Sequence, residues 1–127
     1  MSKVGIYIND SSQPFTEQII CGVKTVETRT HLQLKRWLRQ EVFIIRTGKG
    51  KPMVVGRCKL RRIIQWFTED AFRADYSLHR ISKGSPFDWV EGKIKVGYEL
   101  SDVERVEPYE LPKGGRRYGR IAYEWED

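Results

Sequence analysis

The chain has 127 residues, 39% of them hydrophobic and 31% charged, and its 23 Lys and Arg against 17 Asp and Glu give a formal net charge of +6. That length makes one domain, residues 1–127, with aromatics enough for one compact core, and the positive balance favours a polyanionic partner. No apolar run approaches the ~20 residues that span a bilayer, and the N-terminus lacks the basic-then-apolar plan of a signal peptide, so the expectation is a cytoplasmic protein without a membrane partner.

Val4 to Ile8 alternates with a β-branched and aromatic bias and predicts a first strand; Asn9-Asp10-Ser11-Ser12 ends it and offers capping oxygens. Phe15, Ile19 and Ile20 then form one apolar stripe of a short helix over Pro14 to Cys21, with Thr16, Glu17 and Gln18 toward water. Pro14 suits the first helical turn and Gly22 the left-handed residue just past the end. Lys24 to Arg29, rich in Thr and Val, predicts a strand with Lys24, Val26 and Thr28 on one side and Thr25, Glu27 and Arg29 on the other. The turn at Gly22 lets the long side chain of Lys24 swing toward Glu27, while a plain Glu27–Arg29 ion pair on a solvated face is the simpler account of the same charges.

Leu34, Trp37 and Leu38 sit among Lys35, Arg36 and Arg39, either as a basic amphipathic turn or as a linker packing Trp37 into the core. Val42 to Arg46 is apolar on both faces, as in a buried strand. Thr47 to Pro52 is a turn with two lysines but without the GKS or GKT ending of a nucleotide-binding loop, which excludes ATP or GTP on that motif. Val54, Gly56, Cys58 and Leu60 alternate with Val55, Arg57, Lys59 and Arg61, placing three cations on one outer face, and the phase breaks at Arg62-Ile63-Ile64, which suggests a bulge. Thr68 caps a helix running to Asp75, which Tyr76 to Ile81 extends. In the next strand Ile94, Val96, Tyr98 and Leu100 point in and Lys95, Gly97 and Glu99 out; Asp102 to Pro108 carries it on, out of phase, to an edge. Lys113 to Arg120 is a flexible basic loop, and Ile121, Tyr123 and Trp125 close the sheet.

Five or six strands, with helices after the first and the fourth, make a mixed, mainly antiparallel α+β domain. Cys21 and Cys58 read as reduced core thiols, and the lack of CxxC, HxE or HExxH disfavours a metal site; no cofactor is implied. His31 and His79 are too far apart in sequence for their spacing to pair them.

The stretch Gly22-x-Lys24-x-x-Glu27-x-Arg29, with the helix that leads into it, resembles the signature of the ASCH family, small domains related to the RNA-binding PUA barrels. The resemblance implies a small PUA-like β-barrel of five to six mostly antiparallel strands with flanking helices, around a cleft holding Lys24, Glu27 and Arg29. Family members include amidohydrolases acting on N4-acylated cytidine and ribonucleases. The amidohydrolase trio is the signature lysine, matched by Lys24, a threonine three residues on, where this chain has Glu27, and an acid on the helix after the long strand, matched by Asp75. The threonine is absent, which counts against deacylation.

Two classes of function follow. In one, RNA binds the basic cleft uncut, its phosphates on Arg57, Lys59, Arg61, Arg116 and Arg117, with Tyr118, Trp37, Trp66 or Trp89 stacking an unpaired base. In the other, Lys24 and Glu27 cleave RNA as a general acid/base pair, steadied by Arg29 or Arg57, or, as the amidohydrolase resemblance implies, Lys24 and Asp75 act on N4-acetylcytidine. A non-catalytic reader of modified bases shares the cleft with both.

Overall fold

The computed structural model describes residues 1–127. β1 (Ser2–Asn9) leads into α1 (Phe15–Ile20), β2 (Val26–Arg29), a 3-10 turn (Gln33–Trp37), β3 (Glu41–Thr47) and β4 (Met53–Trp66). Then come α2 (Glu69–Ala74), α3 (Tyr76–His79), β5 (Lys95–Glu110), β6 (Arg116–Tyr118) and β7 (Ala122–Glu126). Helices follow the first and the fourth strands, as the sequence predicts. The unforeseen strand is β6, three residues inside the basic loop, too short for any alternation to announce.

All seven strands form one sheet in the order β2-β5-β4-β3-β1-β7-β6, antiparallel throughout except for β1 beside β3. The expected barrel of five to six strands is corrected here: there are seven, and the terminal strands β2 and β6 do not pair with each other, so backbone hydrogen bonds do not close the sheet.

β3 is buried on both faces because side chains alternate across a strand and both sides of this one are covered. Val42 and Ile44 join Ile6, Ile8, Leu34 and Tyr98 in the larger apolar cluster, whereas Phe43 and Ile45 pack with Val54, Tyr123 and Trp125 on the opposite side. The single compact core of the sequence reading is thus two clusters with the sheet between them.

β4 and β5 form a long ribbon with three shifts of register, one of them between Leu60 and Arg62, where the alternation breaks. Asp102 takes a left-handed φ of 51° where two residues of β5 face Cys58 alone, so the out-of-phase continuation is a bulge. Since β2 pairs only with Val96 to Glu99, residues beyond Leu100 have a strand neighbour, β4, on one side only.

Asp10 caps α1, accepting hydrogen bonds from the Thr16 N–H at 3.0 Å and from its hydroxyl. Thr16 is therefore buried, against the solvent-facing expectation, because its hydroxyl has a buried carboxylate to bind. Thr68 caps α2 through a bond from the Ala71 N–H, and Arg80 ends α3 in the left-handed region. Cys58 is buried but Cys21 is exposed, because the helix ends there and turns its last residue outward. No helix is long and apolar enough to cross a membrane.

Gly97 fixes β2 to the ribbon. A Cβ there would lie 2.4 Å from Val26 Cγ1 and 2.6 Å from the Trp66 ring, so only glycine lets Trp66 close over Val26. That packing anchors the strand carrying Glu27 and Arg29.

Candidate functional site

A cleft of about 860 Å³ opens between the Lys24–His31 segment, the Ile81–Lys95 loop and the Leu111–Arg120 loop. Its floor is set by the turn after α1. Gly22, at φ 84°, reverses the chain, and the Lys24 N–H donates to the Gln18 carbonyl at 2.9 Å, folding the segment back along the helix. The Lys24 side chain then runs over the Phe15 ring, its Nζ 4.8 Å from the ring centre, and ends 2.6 Å from the His79 carbonyl and 3.5 Å from Glu27 Oε1.

Glu27 is held from both sides. Its Oε2 accepts from Arg29 Nη2 at 3.1 Å, and the same nitrogen donates to the Tyr7 carbonyl at 2.6 Å. Both ion pairs weighed from the sequence are therefore present; Lys24 and Glu27 are buried, at 1% and 8% exposed, and Arg29 is half-buried. Burial pushes the Lys24 amine below the ordinary lysine range, against the pull of Glu27.

Lys95 is the lining residue that the sequence placed wrongly. β5 begins only at Lys95, so alternation does not yet govern its direction; Ile94 is exposed and Lys95 is 5% exposed. Its Nζ lies over the Phe72 ring, 5.3 Å from the centre, and donates to the Phe87 carbonyl at 2.6 Å. Burial brings this amine down to about 8. Tyr7, His31 and Phe87 also line the cleft without having been picked out for it. Composition carries no signal for them, because each comes from a different loop or strand end.

The other residues singled out from the sequence divide sharply. Arg117 lines the cleft with Lys24, Glu27 and Arg29, and its charge acts on the Tyr7 hydroxyl. Asp75, Arg57, Lys59, Arg61, Arg116 and Tyr118 do not line it. Asp75 accepts the Trp66 indole N–H. Arg57 is paired with Glu104, and Arg61 with Glu99. Lys59 is exposed, opposite Glu41 in the ladder. Arg116 lies over the Tyr118 ring, which packs edge-on against Trp37. Trp37 and Trp66 are core residues, and Trp89 bonds Glu91.

His79 is structural. Its Nε2 lies 2.8 Å from the Phe72 carbonyl and its Nδ1 accepts from the Ile81 N–H, which assigns the proton to Nε2, and burial holds the ring below the ordinary histidine range. No three His, Cys, Asp or Glu side chains converge as a metal site would require.

Among solved structures, the ASCH protein of Zymomonas mobilis matches with a TM-score of 0.69 at 25% identity, over 86% of this chain and 73% of that one. The fold is that of an ASCH domain. A tyrosine-to-phenylalanine variant of the same Zymomonas protein matches this ASCH-fold chain with a TM-score of 0.68 at 25% identity, over 86% of this chain and 76% of that one. A serine-to-alanine variant matches with a TM-score of 0.68 at 20% identity, over 94% and 85%. No family model and no curated protein matches the sequence.

Taken by its lining, the cleft of this ASCH-fold domain is an anion-attracting hollow. Lys24, Arg29, Lys93, Lys95, Lys113, Arg117 and Arg120 face two carboxylates, Glu27 and Asp88. Low-dielectric walls strengthen such a field.

Proposed function

We propose that this ASCH-fold domain binds single-stranded RNA, taking one nucleotide into the cleft. The observation that carries the proposal is the excess of cations over carboxylates in a hollow whose floor is the buried Lys24–Glu27–Arg29 cluster. Lys93, Lys113, Arg117 and Arg120 at the exposed rim suit phosphates, and the Tyr7 and Phe87 rings suit a base face. Donors and an acceptor in the floor suit the edge of an unstacked base. Binding of this kind loosens with salt, by a slope of about 0.7 in logarithmic units for each phosphate contact.

A second activity draws on the same floor. Glu27, fixed between Lys24 and Arg29, would take the proton of a ribose 2′-hydroxyl; the 2′-oxygen bonds to phosphorus as the bond to the 5′-oxygen breaks, that oxygen takes a proton from water and Glu27 returns its own to solvent, leaving a 2′,3′-cyclic phosphate and a 5′-hydroxyl. The carboxylate beside Lys24, where the amidohydrolases carry a hydroxyl, favours this chemistry over removal of an acyl group from N4-acetylcytidine. A non-catalytic reader of a modified base would use the same contacts without turnover.

Fluorescence anisotropy with labelled single-stranded RNA from 50 to 200 mM salt tests the binding. Incubation with RNA and with N4-acetylcytidine, each with and without Lys24→Ala, separates the activities. Salt-sensitive binding without product makes the domain a binding module, and product that Lys24→Ala abolishes makes it an enzyme. No binding to RNA at low salt removes the proposal.

A further inference from the structure

The two buried amines of the cleft are not equivalent. Lys24 has a carboxylate within ion-pair reach, a carbonyl at 2.6 Å and an aromatic ring 4.8 Å from its Nζ. Lys95 also has a ring, Phe72, 5.3 Å from its Nζ and one hydrogen bond, to the Phe87 carbonyl, but no carboxylate within ion-pair distance. An ammonium carries three N–H groups, so two of those on Lys95 have no hydrogen-bond acceptor in a residue that is 5% exposed. A buried cation without a counter-charge is costly, and Lys95 lines the cleft, where a phosphate oxygen would supply that charge.

The geometry of Lys24 points the same way. An acid and a base that flank a phosphorus atom must stand on opposite sides of it, whereas Lys24 Nζ and Glu27 Oε1 are in contact at 3.5 Å, leaving no room between them for a phosphate. Lys24 orients Glu27.

We propose that Lys95 is the amine that hydrogen-bonds the substrate's phosphate, and that Lys24 is a positioning residue for Glu27. The proposal rests on the RNA-binding function above and names which cation of that site touches the ligand. The charged and titratable groups around Lys95 are Glu27 and Lys24 from the floor, Asp88 from the loop above it and His79 at the end of α3. Of these, Glu27 and Asp88 favour its charged form and Lys24 opposes it. With the amine of Lys95 near 8, the phosphate contact weakens as pH rises from 7 to 9.

The test measures RNA affinity by anisotropy between pH 6.5 and 9.5 for the wild type, Lys95→Met, Lys95→Arg and Lys24→Met. We expect wild-type affinity to drop about tenfold across this range, the effect of one charge-assisted contact. Lys95→Met is weak at every pH. Lys95→Arg stays tight and flat, since a guanidinium keeps its charge, and it decides the matter should the Met variant fail to fold. Lys24→Met retains the drop. Wild-type affinity and pH dependence in Lys95→Met overturn the proposal while RNA binding itself stands. Should no RNA bind at all, the function above falls, and the lysine resonances of 13C-methylated protein decide the proposal separately. Movement of the signal missing in Lys95→Arg on adding uridine monophosphate supports it, and no movement overturns it.

Discussion

The indole of Trp66 donates its Nε1 proton to Oδ2 of Asp75 across 2.8 Å, tying the last residue of β4 to the end of α2. The Trp66 ring also stands edge-on to Phe72 and His79, so this carboxylate belongs to the packing of the helical insert, and it does not line the cleft.

Asp75→Ala should therefore lower stability by about 1–2 kcal/mol, since it removes one hydrogen bond to a charged group and leaves the indole N–H unpaired. RNA affinity should stay within twofold. Urea denaturation beside anisotropy checks both, and a variant that folds normally but loses binding would return Asp75 to the site.

Lys24→Met should destabilise by about 2–3 kcal/mol, below the full cost of breaking a buried pair because Arg29 still holds Glu27. Adding Glu27→Gln should restore part of the loss by removing the under-paired carboxylate. A double-mutant cycle in urea measures the coupling, and strict additivity would mean that the contact at 3.5 Å carries no energy.

The two neighbouring arginines of β6 should behave differently although they are adjacent in sequence. Arg117 lines the cleft, while Arg116 lies over the Tyr118 ring, 4.8 Å from its centre. Arg117→Ala should flatten the salt slope of RNA binding by about 0.7, one phosphate contact, and Arg116→Ala should leave it unchanged. Neutralising Arg57 and Arg61, which are paired with Glu104 and Glu99, should also leave it unchanged.

Stability should carry the signature of Lys95 above neutrality. In the unfolded chain this amine holds its proton up to the ordinary value of 10.5, whereas the folded protein releases it at about 8. Between those values the unfolded state binds more protons, so the Lys95 contribution to stability rises with pH, by about 1–2 kcal/mol once the shift is discounted for the water that reaches the cleft. The difference in unfolding free energy between wild type and Lys95→Met, followed by urea titration from pH 7 to 10.5, should move in favour of the wild type as pH rises. A flat difference would place the Lys95 amine in ordinary solvent.

Much of the architecture is written in short-range pattern. The alternation of β1, the double-faced burial of β3, the Thr68 cap and the Gly22 turn depend on neighbours within a few residues, and each is present in the folded chain. The signature Gly22-x-Lys24-x-x-Glu27-x-Arg29 was legible for the same reason: one turn and four residues of strand bring its three charges together.

Only the tertiary structure could decide which cations meet in the cleft. Arg57 and Arg62 find Glu104 and Glu99 across β4 and β5, 47 and 37 residues away, and no local pattern reports such a partner. Lys95, by contrast, turns inward because the strand starts there and the loop from Ser82 to Ile94 folds over it to supply the Phe87 carbonyl. Sequence alone determined that an amine, a carboxylate and a guanidinium share one turn, because local backbone geometry dictates it. Long-range strand pairing selected the rest of their company, through contacts whose closure depends on the whole chain.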